Sequence, residues 1–388
     1  MKFDCNRNSY KNNEVLHTIS NGDTVIYQNR GIRIEFNEKR RVLSTSVLNG
    51  GIREDLEGVF NYNCLGEQYT CTLTEDTYEK ELAYNATQIG LKGKKVTGLS
   101  TAAWIEFVSI KEKEHGDLKV TAIVTGGIDK NAVRVGDPAS YYEKNGEFHM
   151  IDQKEPLPGT INIILHINKN LEPGVLTRAL VTCSEAKVVA IQELMIGSLY
   201  SDGLATGSGT DGTILISDMN SNEILTDAGE HSKLGELIGV AVKDAVKEAL
   251  YLQTGAAGPR QHRVLERGRR YGITLGSLWE YYVKHEKEYE TICNKKYQSL
   301  CEFEERFLYY ETNSSAVVWM SLYLHLLDQY QWGMLKWGEV KRETSQITKA
   351  ILRIEDEKIM EWLFQTEEEA EIVPSLIERA KRSIISVL

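Results

Sequence analysis

No apolar run in the sequence approaches the roughly 20 residues that cross a bilayer. The start, Met1-Lys-Phe-Asp-Cys-Asn6, also lacks the apolar stretch of a secretory signal. Both absences point to a cytoplasmic protein without a membrane partner. Cysteine is sparse, with six residues at 5, 64, 71, 183, 293 and 301, no C-x-x-C and no usable spacing to histidine. Neither a disulfide framework nor a zinc ribbon is implied. His-x-His and H-E-x-x-H are missing too, so no metal-ligating set can be named and zinc-dependent hydrolysis is disfavoured. Positive charge is in deficit, 45 Lys and Arg against 56 Asp and Glu, for a formal net charge of −11. That balance argues against nucleic acid, because phosphate binding needs a positive surface. An uncharged or cationic small molecule is the easier partner. A phosphate-gripping G-x-x-x-x-G-K-[ST] loop is absent as well, which removes the nucleotide-kinase reading.

What is present is ordinary for a globular protein: 41% hydrophobic and 26% charged residues. A length of 388 residues exceeds what one hydrophobic core usually supports, so two domains are expected. Twenty-four of the 31 glycines precede residue 252, while five of the six tryptophans (Trp279, Trp319, Trp332, Trp337, Trp362) follow it. The contrast predicts a first domain over 1–252, a linker and Arg-rich segment over 253–272 containing Thr254-Gly-Ala-Ala-Gly-Pro259, and a helical domain over 273–388. In the first part, β-rich runs (Thr24–Gln28, Ile32–Phe36, Arg41–Ser46, Lys119–Val124, Thr160–Ile167) interleave with helical patterns at about 75–89, 174–195 and 232–251. Such interleaving means an α/β or α+β layered domain with a mixed sheet. The spacers 47–73 and 128–156 lack periodicity, and loops that long are often functional. In the second part, Leu275, Trp279, Tyr282 and Val283, then Leu322, Leu326 and Tyr330, recur at helical spacing and predict an all-helical bundle.

Several segments carry chemistry-bearing residues. Gly203-Leu-Ala-Thr-Gly-Ser-Gly-Thr-Asp-Gly212 contains G-x-G-x-x-G, yet a helix precedes it and a strand follows, the reverse of a dinucleotide site. Its Thr206, Ser208, Thr210 and Asp211, with N–H groups bared by Gly207 and Gly209, are parts of an oxyanion hole or a supported nucleophile. A plain glycine-rich turn is the alternative. After a β-like run ending in Gly126-Gly127 come Asn131, Arg134 and Asp137, ligand contacts at a strand end or, for the last two, a surface ion pair. Asn162 interrupts an apolar strand that also holds Thr160; a buried asparagine must be hydrogen-bonded, so it pins a loop or faces a substrate amide. The helix over about 173–195 sets Leu180, Ser184, Lys187, Val188 and Ile191 on one face, and a desolvated lysine can act as a base. Glu185 lies beside them, and His231 precedes an N-cap at Ser232, where it serves as a proton carrier or simply faces solvent. Arg260, Arg263, Arg267, Arg269 and Arg270 either meet a phosphate or pair with nearby glutamates.

Taken in order, the segments resemble the adenosylcobinamide amidohydrolase family over about residues 40–250. The resemblance rests on Leu43-Ser-Thr-Ser-Val-Leu-Asn-Gly-Gly51, Thr125-Gly-Gly127 with Asn131-Ala132 and Arg134-Val-Gly-Asp137, Gly159-Thr-Ile-Asn-Ile163, Glu185-Ala-Lys187, Thr206-Gly-Ser-Gly-Thr-Asp211 and His231-Ser-Lys-Leu-Gly-Glu236. Two positions depart from the pattern: Gly126 stands in place of alanine and Ser208 in place of threonine. The resemblance implies hydrolysis of the amide that joins the corrinoid propionyl arm to aminopropanol, with cobalt entering only as part of the substrate and no cofactor required. It also implies substrate contacts at Asn49, Gly50, Gly51, Asn131, Arg134, Asp137, Thr160, Asn162, Gly207 and Gly209. It supplies no mechanism. The residue types suggest acyl transfer or direct water attack, with Thr206, Ser208 or Thr210 and Asp211 at the carbonyl and Lys187, Glu185 or His231 as proton carriers. A non-catalytic corrinoid carrier or sensor would keep the same pocket, and the sequence is compatible with a homo-oligomer.

Overall fold

Residues buried on one side only, as in Thr24–Gln28, and residues buried on both, as throughout Thr160–Ile167, require more than one packed layer. The computed structural model describes residues 9–65, 71, 73–151, 157–365 and 372–388; Cys5 and parts of the spacers 47–73 and 128–156 lie outside them. The chain divides into two units, Met1–Ala257 and Gly258–Leu388.

The first unit begins with strands β1 (Glu14–Thr18), β2 (Thr24–Gln28), β3 (Gly31–Glu35), β4 (Arg40–Ser44), β5 (Gly51–Arg53) and β6 (Gly58–Asn63). Helix α1 (Tyr78–Gln88) starts at Thr77, whose hydroxyl accepts the Lys80 N–H. Strands β7 (Val96–Thr101), β8 (Ser109–His115) and β9 (Leu118–Gly127) follow, then the short β10 (Ala132–Val133) and the hairpin β11 (Tyr141–Lys144) with β12 (Glu147–Met150). Strands β13 (Thr160–Ile167) and β14 (Asn170–Leu171) lead into helix α2 (Pro173–Glu193). Strands β15 (Gly207–Ser208), β16 (Gly212–Asp218) and β17 (Ile224–Leu225) and helix α3 (Lys233–Thr254) complete the unit.

Two mixed sheets result, in the orders β1-β2-β3-β6-β7 and β5-β4-β16-β13-β9-β8. In each, one pair is parallel, β6 with β7 and β13 with β16. The layered α/β expectation therefore holds, with a doubled sheet. Alternation along β13 explains the layering. Ile164 points into the core between the sheets with Ile32, Ile34, Leu99, Ile123 and Ile214. Ile163 and Leu165 point the other way, onto Ala179, Cys183 and Ala190 of α2 and Ala241, Val242 and Ala245 of α3. Helix α1 covers the outer face of the first sheet through Leu82, Ala86 and Ile89 against Phe60 and Val96. The order of layers is helix, sheet, sheet, helix.

The second unit is helical throughout its described secondary structure: α4 (Gly258–Gln261), α5 (Val264–Gly268), α6 (Leu275–Lys284), α7 (Glu286–Ile292), α8 (Leu300–Glu311), α9 (Ser314–Gln331), α10 (Trp337–Leu352), α11 (Glu357–Leu363) and α12 (Ile372–Val387), with a short 3-10 turn at Arg269–Tyr271. Its core is aromatic, built on Tyr282, Tyr289, Phe303, Trp319 and Tyr323. Residues 258–272, expected as linker, carry α4 and α5, and Val264 and Tyr271 are buried in that core. Among the described residues no helix is long and apolar enough to cross a membrane.

Candidate functional site

Strands β13 and β16 pair in parallel from Asn162 opposite Gly212, so the glycine-rich loop entering β16 lies against the first residues of β13. The hub is Asp211. Its carboxylate accepts the Ile161 N–H (2.9 Å), the Ser208 N–H (3.1 Å) and the Ser208 hydroxyl (2.6 Å), and it pairs with the Lys187 ammonium reaching over from α2. A carboxylate has about four lone-pair sites, and these donors fill them. The loop is glycine at 207 for a steric reason: a Cβ there would lie 2.2 Å from an Asp211 oxygen and 2.9 Å from Lys187 Nζ.

The remaining hydroxyls are also engaged. Thr206 Oγ1 accepts the Val135 N–H at 2.9 Å, and Thr210 Oγ1 donates to the Gly159 carbonyl at 2.9 Å. Thr160 Oγ1 donates to the Thr210 carbonyl at 2.7 Å, and Ser208 Oγ accepts the Thr210 N–H at 3.2 Å. The pair β10 and β15, Ala132 opposite Ser208 and Val133 opposite Gly207, brings the Asn131 segment onto the same loop. Buried Asn131 donates to the Gly159 carbonyl (3.1 Å) and accepts from the Tyr200 hydroxyl (3.1 Å). Arg134 packs against Gly203, where a Cβ would sit 2.6 Å from its Cδ, and its guanidinium reaches the Leu204 carbonyl. Asp137 accepts the Arg134 backbone N–H (2.8 Å) and the Ser198 hydroxyl (2.6 Å). Burial pushes the Asp137 carboxyl up, but hydrogen bonds from Ser198 and Ser201 outweigh it and hold the group below the usual range.

Asn162 is 2% exposed and pins the facing sheet, donating to Asn61 Oδ1 (2.8 Å) on β6 and to the Ser100 carbonyl (2.9 Å) on β7. Asn61 passes the chain on to Thr125 Oγ1 at 2.8 Å. Asn49, with φ of 49°, donates to the Val96 carbonyl at 2.8 Å, and Gly50 has no room for a Cβ beside the Ser46 carbonyl. The Asn49-Gly50-Gly51 block is thus a tight turn tied to the start of β7. Gly209 is open, its nearest neighbour to a Cβ being Asn131 Nδ2 at 3.9 Å.

A cavity of about 330 Å³ opens beside this loop, lined by Asn131, Gly159, Thr160 and Thr210 and, from the other sheet, by Cys64, Ser100 and Thr101; Cys71, Tyr78 and Glu81 also line it. A neighbouring cavity of about 300 Å³ shares Ala102, Pro158 and Gly159 and adds Trp104, Lys130 and Gln253. The length of the spacer 47–73 marked it as a loop of functional kind, but its Cys64 and Cys71 named no chemistry, because a cysteine pair seven positions apart matches no redox or metal motif.

Two of the expected proton carriers are not in contact with the loop. Glu185 is exposed, and a hydrogen bond with Glu230 raises its carboxyl above the ordinary value. Glu230 itself is held by Arg178, with both oxygens 2.6 Å from one guanidinium nitrogen. His231 is exposed at the turn before α3. Ser184 is exposed as well, because α2 buries Ala179, Cys183, Ala186 and Ala190; of the face expected for it, Ile191 is buried and Leu180 packs against the core. In the second unit, Arg260 pairs with Glu266, Arg263 with Glu311 and Arg270 with Asp328, and Arg267 donates to the Gln261 carbonyl. Three of the five arginines, Arg260, Arg263 and Arg270, thus pair with nearby carboxylates. Among the described residues no group of three or more His, Cys, Asp or Glu side chains is arranged to hold a metal ion.

A cavity at strand ends of a layered α/β unit, walled by hydroxyls and an amide and bordered by the loop that carries Asp211, has the make-up of a small-molecule site. Comparison with known proteins makes this specific. The model of the adenosylcobinamide amidohydrolase family matches residues 15–258, and the chain belongs to that family. An uncharacterized protein of Methanocaldococcus jannaschii is 35% identical over 250 residues, 63% of this chain and 94% of the relative.

Proposed function

We propose that the first unit hydrolyses the amide between the propionyl arm and aminopropanol of adenosylcobinamide, giving adenosylcobyric acid for corrinoid salvage in the cytoplasm. One observation carries the reading: Asn131, Gly159 with Thr160, and Thr210 belong to three blocks of the family pattern far apart in sequence, and all line one cavity. That cavity suits the end of an amide arm, with the bulk of the corrinoid outside it. Thr160, Thr210 and Asn131 would position the amide. Asp211 and Lys187 act as positioning residues, since a carboxylate with filled acceptor sites has none left for a proton from water. Water adds to the carbonyl carbon, the C–N bond breaks, and the departing nitrogen takes a proton to leave as aminopropanol. Complete cobamides are further substrates on this reading, provided their nucleotide loop stays clear of the cavity.

The engagement of Ser208, Thr210 and Asp211 within the loop favours a second reading, a corrinoid carrier or sensor without turnover. Anaerobic incubation of the full chain with adenosylcobinamide, followed by mass spectrometry, separates the two. Adenosylcobyric acid with free aminopropanol is expected. A corrinoid spectral shift without either product would sink the hydrolase and leave the carrier.

A further inference from the structure

Two free thiols stand in the cavity wall, Cys64 at the end of β6 and Cys71 beyond it. They are not equivalent to the other described cysteines. Cys183 is buried between α2 and its sheet, where burial pushes its thiol up to about 12, and burial pushes Cys293 in the second unit to about 11. Cys64 and Cys71 line the same cavity, and the Cys64 thiol donates to the Thr101 carbonyl at 3.3 Å. The neighbouring Cys71 side chain lowers the Cys64 thiol to about 7 although burial opposes it, with Ser100 and the positive charge of Arg30 acting in the same direction. Cys64 in turn, with burial, raises the Cys71 thiol. Of the two, Cys64 is the thiol more readily deprotonated, and Cys71 is the one that keeps its proton. Attack on a disulfide needs a thiolate with access, and closure needs a second sulfur within reach.

We propose that Cys64 and Cys71 form a site of thiol–disulfide exchange for low-molecular-weight disulfides, closing to an internal disulfide in the cavity wall. Cys64 sulfur attacks one sulfur of the incoming disulfide, forming a mixed disulfide and expelling one thiolate. Cys71 then attacks the Cys64 sulfur, losing its proton to the solvent, and the second thiolate leaves. Two protein thiols are oxidised and one external disulfide is reduced to two thiols. The cross-link lies in the wall shared with Thr160 and Thr210, so, on the amidohydrolase reading above, it alters the subsite for the amide arm.

The test is anaerobic treatment of the full chain with glutathione disulfide near neutral pH, read by intact mass and peptide mapping. The expected result is loss of two hydrogens, a Cys64–Cys71 cross-linked peptide, and reversal by dithiothreitol. Cys71→Ser should stop at a glutathione adduct on Cys64, and Cys64→Ser should leave Cys71 unmodified. Modification at Cys293 or Cys301 ahead of Cys64, or adducts on both members of the pair without a cross-link, would overturn the proposal. These readouts need no turnover, so they stand or fall separately from the hydrolase assignment. Where wild-type turnover is seen, its loss in the cross-linked form and return on reduction is the expected consequence.

Discussion

Gly207 and Gly209 stand two residues apart in one loop under different constraints. At 207 a methyl group would strike the Asp211–Lys187 pair, whereas at 209 it meets nothing closer than 3.9 Å. Gly207→Ala should cost about 1–3 kcal/mol of stability and most of the turnover, since the loop must shift. Gly209→Ala should stay within about 0.5 kcal/mol with activity kept. Paired thermal melts and product assays check both, and equal behaviour of the two variants would contradict the geometry. Asp211 lends itself to a milder change. Asp211→Asn keeps the shape but removes the charge facing Lys187 and turns an amide against the Ser208 or Ile161 N–H. Breaking a partly buried pair in this way should lower stability by about 3 kcal/mol and slow turnover, while corrinoid binding persists in a spectral titration. The loop stood out in the sequence as one block of the family pattern, while its residues alone were equally those of a plain glycine-rich turn. Its roles were not legible there. A sequence lists donors and acceptors, but only the fold shows that Ser208 is spent on Asp211 and Thr210 on Gly159.

At the scale of elements, the strands that escaped notice have physical disguises. In β8, Ile110-Lys-Glu-Lys-Glu114 reads as a solvated charge run, yet it is an edge strand, where charge discourages pairing with another chain. In β7, Gly98 breaks the pattern because the Phe60 ring occupies the space a Cβ would need. The helical phase was misread as well: Val283 and Leu322, expected on inward stripes, are exposed, while Tyr281 and Tyr323 are buried. Where aromatic and aliphatic residues fall on more than one face of a helix, as Tyr281, Tyr282 and Val283 do, periodicity alone does not choose the buried face. Strand β13 carries a pH consequence at its far end. His166 is fully buried near Arg40, Asp23 and Asp218, and desolvation, helped by the Arg40 charge, lowers it to about 3. An unfolded histidine titrates near 6.5, so on acidification the unfolded chain binds this proton first. Stability is then lost as pH falls below about 6.5 and stops falling, for this group, near 3, with a slope approaching 1.4 kcal/mol per pH unit between. His166→Gln should flatten denaturant midpoints across about pH 6 to 4. An unchanged slope would mean that other groups carry the acid sensitivity.

For the whole molecule, the composition break near residue 252 announced two units because glycine-rich loops serve the layered unit, while Trp319 and Trp362 are buried in the helical core and Trp279 and Trp337 pack against it. What composition could not announce was the second sheet: two stacked sheets and one sheet with helices on both faces both need strands buried on two sides. The family match, over residues 15–258, falls on the layered part. That part has three apolar cores made of its own residues, and the cavity lining lies inside it. A chain ending at Ala257 should therefore unfold cooperatively and release aminopropanol from adenosylcobinamide at the rate of the full chain. The measurement is initial velocity for both forms at matched concentration, with circular dichroism to verify folding. A folded 1–257 chain that has lost turnover would assign the helical unit a part in the reaction, and equal rates would confine the chemistry to the layered unit.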